Sequence, residues 1–452
     1  MAYVEDLTAE QVRRGHEVTY LFSGRQYPYL SGPRLRRWER GGVTMLEIVN
    51  SPLYDHGRQP ELELDEPKVE RVLEGVLAEV RPDVVHVQEL AGLPSSALEI
   101  VRRSGTPAVM TLHDYFLLCS TFKLFDAEGR VCLRRQVGAD CAGATAADSR
   151  EPGLLFEATL MHHLSGVPLV RRVPAIRRIA RFASRRAAAG RGHGGEPAPA
   201  DRVAAFERRR KVNLERLSQV DCLLAVSPRV AEIYSLLGVD PSRLRALEIG
   251  LAHIQHLRPR HLKGRLPVTF ATLGGLESLA KGGRILLDAL RHLSAAVEAG
   301  RCRLLVFGFA NPMFSEEVER LAGVEIRGPY RPEELDGLLD EVDVGIMPSI
   351  WEEAYGFAGV EFLAKGIPVI ANAIGGMIEY TREGETGWLN RSCSAQELAR
   401  IMSGVTERPE QIAELNLKLR ADRDSIVKPM ACHGAEIDAV YSEVIGGRSA
   451  AG

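Results

Sequence analysis

At 452 residues the chain is long enough for two domains of ordinary size, each with its own hydrophobic core. An apolar content of 45%, a charged content of 26% and a net charge of −3 describe a globular protein with no basic bias of the kind that marks nucleic-acid binding. No apolar run reaches the roughly eighteen residues of a membrane span, and the acidic, amphipathic start is unlike a signal peptide, so the cytoplasm is the expected compartment. Met1 to Arg14 reads as an amphipathic helix, with Val4, Leu7 and Val12 apolar and Gly15 as its C-cap. His16 to Phe22 follows as a strand. A doubly wound domain ordinarily opens on a strand and a glycine-bearing loop that feed such a helix, and both are expected to be missing here. Next come a helix with Val69, Val72, Leu73, Val76, Leu77 and Val80 on one face, a strand from Asp83 to Val87, a helix ending at Ser104, and an apolar strand from Pro107 to Leu112. The last of these runs into His113, Asp114 and Tyr115. Such alternation predicts a parallel sheet with helices on both faces.

From about residue 116 to 218 the alternation stops. Cys119, Cys132 and Cys141 fall in a loop-like stretch, and Leu169 to Lys211 holds thirteen Lys or Arg residues. Seven cysteines, an odd number, fit reduced thiols better than a disulfide framework. Three thiols resemble part of a zinc site, but no fourth cysteine is near, although His162 and His163 follow, so structural or inert cysteines are expected. Pro174 suits the first turn of a helix that places Arg177, Arg178, Arg181 and Arg185 off its apolar face. This basic face is either simply solvated or, with Arg171, Arg172 and Arg186, a peripheral contact to the anionic inner face of a membrane. Gly190 to Pro199 reads as a linker. Regular alternation is expected again from Cys222 to Val226, a helix to Leu237 and a strand from Arg245 to Gly250.

Polar and basic residues from Arg258 to Arg265 mark a domain boundary, which gives residues 1–257 and 266–428 as two α/β units and 429–452 as a last helix and tail. In the second unit, Val268 to Leu273, Leu304 to Gly308, Val324 to Arg327 and Val342 to Met347 read as strands. A glycine turn at Gly274-Gly275 precedes Lys281-Gly282 and an amphipathic helix. After the strand ending at Met347 comes PSIWEEAYGFAGVEFLAKGIPVIANAIGG, Pro348 to Gly376, with Glu353 and Glu361 eight positions apart. A helix starting near Gly356, at the carboxyl edge of a parallel sheet, aims unpaired N–H groups and a positive dipole end at whatever binds there, which suits a phosphate. Glu352 reads as a solvated loop charge.

The segment PS-x-x-E-E-A-Y-G-F-x-x-x-E, followed by AKGIPVIAN and GGMIEY, resembles the C-terminal signature of retaining GT-B glycosyltransferases of family 4. VDVGIMPS, RGPYRPEELDGLL, the glycine turn with Lys281-Gly282, DCLLAVS, RPDVVHVQ and TLHDY stand in the order that family uses. The resemblance implies two Rossmann-like domains facing each other across a cleft. It implies transfer of a sugar from a nucleotide-sugar donor to a glycan, lipid-linked or small-molecule acceptor, in cell-envelope polysaccharide or glycoconjugate synthesis. It implies Glu353 and His113 as the residues at the transferred sugar. It further implies Glu361 at the ribose hydroxyls, Lys281, Gly274, Gly275, Tyr355, Gly356, Phe357 and Ala358 around the diphosphate, and Tyr330 near the base. No cofactor and no metal is implied, and no Asp-x-Asp arrangement argues for one. Many relatives carry an arginine where this chain has Gly275. The missing opening strand leaves one alternative, a non-catalytic protein of the same fold that binds nucleotide or partners a working enzyme.

Overall fold

The protein is described as a computed structural model over residues 2–25, 32–53, 60–126, 129–141 and 200–449. The first described element is the helix Ala2–Arg13, followed by β1 (Val18–Ser23), β2 (Arg34–Arg40) and β3 (Val43–Val49). β3 pairs parallel with β1 and antiparallel with β2. The β2–β3 hairpin closes through Gly41-Gly42, both at positive φ, as a two-residue turn between right-twisted strands demands. Neither β2 nor β3 is among the strands expected from the sequence; β2, RLRRWER, carries charge on both faces and is largely exposed.

The helix Pro67–Val80 buries Val69, Leu73 and Val76. It leads to a four-stranded parallel sheet in the order β4 (Val85–Val87), β5 (Ala108–Leu112), β6 (Cys222–Ala225) and β7 (Leu244–Ala246). β5 is buried at every position, as an inner parallel strand covered on both faces must be. Two expectations need correction here. The strand read at 245–250 ends at Ala246. Regular structure also begins before Cys222, because the helix Ala200–Leu217 packs into the core through Phe206 and Leu217 and buries Arg209, Asn213 and Arg216. Arg209 is structural: it meets the Glu63 carboxylate, and both side chains are only 2–3% exposed. The expected helix after Pro174, the membrane-facing arginines Arg171 to Arg186, His162, His163 and the linker at 190–199 lie outside the described residues.

The second sheet has six strands, β8 (Val268–Leu273), β9 (Cys302–Phe307), β10 (Val324–Gly328), β11 (Val344–Met347), β12 (Val369–Asn372) and β13 (Gly387–Asn390). Their spatial order is β10-β9-β8-β11-β12-β13, with every pair parallel. Strand order therefore reverses between β8 and β11. That is the switch point at which the loops leaving two neighbouring strand ends diverge and open a crevice. No helix among the described residues is long and apolar enough to cross a membrane.

The last helix, Met430–Ser449, returns to the N-terminal unit and lies against the helix Ala2–Arg13 and β5. Its inward-facing polar contacts are buried or partly buried. The Tyr3 hydroxyl and His433 Nε2 are 2.8 Å apart, Gln11 donates to the Tyr441 hydroxyl at 2.7 Å, and that hydroxyl lies 2.7 Å from His86 Nδ1. Since Tyr441 accepts from Gln11, its proton goes to Nδ1, and His86 carries its own proton on Nε2, 2.7 Å from the Thr111 hydroxyl.

Burial holds His86 neutral, with a pKa pushed down to about 3, and brings His113 and His433 down to about 4. The unfolded chain protonates all three near 6.5, so stability is complete above that pH and falls as the pH drops toward 4. Asp114 acts oppositely: burial raises it to about 7, so the native state holds a proton that the unfolded state refuses until about 3.8. Asp343 and Glu379, raised in the same sense, offset a further part. A net one to two protons gives a loss of about 1.4–2.7 kcal/mol per pH unit between pH 6 and 4.5. Urea unfolding at stepped pH measures it, and a flat profile would contradict buried neutral imidazoles.

Candidate active site

The crevice at the switch point is a cavity of about 250 Å³ between the two sheet units. Its walls come from the loop after β8 (Gly274, Gly275, Lys281), the loop after β11 (Pro348 to Ala358) and, from the N-terminal unit, His113 and Val226. Sequence positions more than two hundred residues apart thus meet at one place, each at the carboxyl end of a parallel strand.

Local chemistry explains how the loops hold together. Gly282 sits at φ +80°, and a Cβ there would lie 1.8 Å from the Pro348 carbonyl oxygen, so only glycine lets the Lys281-Gly282 turn press against the loop after β11. The Ile350 amide donates to the Ala280 carbonyl at 2.9 Å and fixes the same approach. Gly375, at φ +62°, lies against the backbone of Glu353, and the Gly376 amide donates to the Glu353 carbonyl at 2.7 Å. Gly275, where the resemblance leads one to expect an arginine, is crowded by a side chain: a Cβ there would come within 2.4 Å of the Thr272 hydroxyl.

Within this frame, Lys281 Nζ donates to Glu353 Oε1 at 2.6 Å and lies 5.6 Å from the Trp351 ring centre. Ser349 donates to the same Glu353 oxygen at 2.8 Å. Trp351 was not singled out in the sequence, although it stands inside the motif. Its indole N–H is buried and has no hydrogen-bond partner among the described residues. The helix Phe357–Ala364 starts beyond Gly356, which caps it at φ +77°, and Tyr355, Gly356, Phe357 and Ala358 line the cavity where its first N–H groups are free of intrahelical partners. His113 Nε2 is 2.8 Å from Gln88 Oε1 and its ring packs edge-on against Tyr3.

Two sequence-derived site residues do not line the cavity. Glu361 lies on the second turn of the helix Phe357–Ala364 and hydrogen bonds to His253. Tyr330 packs edge-on against Phe307, and after burial itself the nearby Glu361 raises its phenol pKa, so the two are neighbours. Glu352 corrects the sequence reading. It is not solvated but 3% exposed, gripped by the Arg229 guanidinium at 2.5 and 3.0 Å and by the Gly375 amide at 3.0 Å. Arg229 lies on the helix Pro228–Leu236 of the other unit, so this ion pair fastens the motif loop across the cleft.

The three clustered cysteines are free thiols. Cys119 Sγ is 3.2 Å from the Thr121 hydroxyl, and Cys132 Sγ accepts from Arg134 Nε at 3.2 Å. Among the described residues no group of three or more His, Cys, Asp or Glu side chains is placed to hold a metal ion.

A family model described as "Glycosyl transferase 4-like domain" matches residues 2–250, more than half of the chain, and one described as "Glycosyl transferases group 1" matches residues 267–407. Among curated proteins, the D-inositol 3-phosphate glycosyltransferase of Rhodococcus erythropolis is 28% identical over 203 residues, 40% of this chain and 45% of the relative. That of Corynebacterium aurimucosum is 32% identical over 189 residues, 40% of this chain and 42% of the relative. The matches thus span less than half the length of these relatives. Among solved structures, sucrose-phosphate synthase from Thermosynechococcus elongatus superposes with a TM-score of 0.64 at 16% identity, covering 98% of this chain and 93% of that one. Anabaena HepE in complex with UDP and glucose superposes with a TM-score of 0.53 at 16% identity, covering 89% and 87%. Both sheet units carry their own family match, and the chain belongs to the family 4, group 1 glycosyltransferases, with the GT-B fold.

Proposed function

We propose that the chain is a retaining glycosyltransferase that moves a sugar from a nucleotide-sugar donor to a glycan, lipid-linked or small-molecule acceptor in cell-envelope polysaccharide or glycoconjugate synthesis. The observation that carries this reading is the convergence of Lys281, Glu353 and the N-terminus of the helix Phe357–Ala364 on one cavity with His113 opposite. A diphosphate is met there by helix N–H groups and by an ammonium ion. With both in place, the charge a divalent cation would otherwise neutralise is met by the chain itself. Lys281 then exchanges its Glu353 contact for phosphate oxygens, and the released carboxylate faces the sugar.

In the transfer, the bond from the anomeric carbon to the β-phosphate oxygen breaks and a bond to the acceptor oxygen forms on the same face. The leaving phosphate takes the acceptor's proton. Positive charge that develops on the sugar ring is stabilised by Glu353, while His113 binds a sugar hydroxyl. Glu361 accepts from the ribose diol. That a structural relative was crystallised with UDP and glucose supports a uridine donor as the first to test.

Thermal shift with UDP, GDP, ADP and their glucose conjugates tests the reading. At least one nucleotide is expected to raise the melting temperature, and Glu361→Ala to weaken its binding by about 10-fold, the cost of hydrogen bonds to a charged acceptor. A protein that none of them stabilises would not be a donor-using enzyme. The anomeric configuration of the product, read by NMR, decides retention.

A further inference from the structure

Glu361 is held from outside the cavity. Its side chain is 12% exposed, and Oε1 accepts from Nε2 of His253 at 2.6 Å. His253 begins the short turn His253–His256, on the stretch of chain that joins β7 of one unit to β8 of the other. That turn is pinned. The Ala252 amide donates to the Asp6 carboxylate at 2.8 Å, Ile254 is buried, and the Arg423 guanidinium reaches the carbonyls of Ile254, Gln255 and Leu257 at 3.0–3.5 Å. Asp6 and Glu333 face the imidazole along with Glu361. Burial lowers the His253 pKa, but these three carboxylates outweigh it and leave it above its ordinary value.

A glutamate side chain has three rotatable bonds and would ordinarily sample several orientations. A charge-assisted bond from a fixed imidazole removes that freedom. An ionised carboxylate has about four lone-pair sites, so one bond to His253 leaves acceptor capacity for two more donors. A ribose diol brings two.

We propose that His253 is a positioning residue of the donor site, holding the Glu361 carboxylate in the orientation in which it accepts from the ribose hydroxyls of a nucleoside diphosphate. The inference rests on the donor-site reading above, and it ties ribose recognition to the connection between the two units.

Calorimetric titration of the full chain with UDP, GDP and ADP, and with the 2′-deoxy form of whichever binds tightest, tests it. The unaltered protein is expected to prefer the ribonucleotide by about 10-fold, and Glu361→Ala to abolish the preference. His253→Ala should reduce the preference to less than about 3-fold and raise the donor KM with kcat unchanged. His253→Gln, which still presents an N–H, should keep most of it. If His253→Ala does not fold, His253→Asn, too short to reach, takes its place with the same expectation. Full preference for ribose in that variant, or an equal loss for ribo and deoxyribo forms, would overturn the proposal while the donor site stands. If no nucleotide binds the unaltered protein, the donor-site reading falls and this proposal with it.

Discussion

Glu353→Gln is expected to slow sugar transfer by about 10²–10³-fold, the usual cost of removing one preorganised charge from a transition state. UDP affinity should stay within about 3-fold, because interactions made only in the transition state leave ground-state binding untouched. The substitution is a clean one. The glutamine Oε1 can still accept from Ser349, the contact that remains once Lys281 has turned to the phosphates, so the side chain stays oriented in the donor complex. Only the negative charge opposite the anomeric carbon is lost. Comparing kcat for transfer with the dissociation constant for UDP checks the split, and an unchanged kcat would remove Glu353 from the chemistry.

Arg209→Ala should cost about 3–5 kcal/mol of stability, as breaking a buried ion pair does when one charge is left behind. That is a large share of the roughly 5–15 kcal/mol available to a folded domain. The guanidinium also donates to the carbonyl of Phe116 at 2.7 Å and stacks 4.7 Å from the ring centre of the same residue, so three kinds of contact vanish together. Replacing both partners, Arg209→Met with Glu63→Leu, should recover much of the loss because no isolated charge remains. Urea denaturation of the single and double variants measures the difference. A double variant no more stable than Arg209→Ala would show that the carbonyl and stacking contacts, not the charge pair, dominate.

How much of this could be read from residues alone differs from element to element for physical reasons. β8 was legible from Val268 to Leu273 because a strand buried on both faces carries no charge, and its two threonines are β-branched residues that suit a strand. The loop after β11 was legible because its glycines and glutamates are closely spaced and answer to local geometry. β2 was not, since its arginines hide any alternation. Glu352 was misread because its partner Arg229 lies 123 residues away, and nothing local distinguishes a buried carboxylate from a solvated one. His253 sits in a stretch without helical or strand period, so only the fold brings it to Glu361. Trp351 was in view within the motif, yet its place under Lys281 depends on the approach that Gly282 permits.

The return of the last helix to the first has a consequence for synthesis. Among the described residues, the side chains of Tyr3 and Gln11 and the Nδ1 of His86 find their hydrogen-bond partners in residues 433 to 441, so the N-terminal unit leaves the ribosome with a polar face that these residues have yet to cover. That face is closed only once residues 433 to 441 have been made, whereas the six-stranded sheet is complete at Asn390. The unit that comes first in the sequence is therefore the last to gain all of its native contacts.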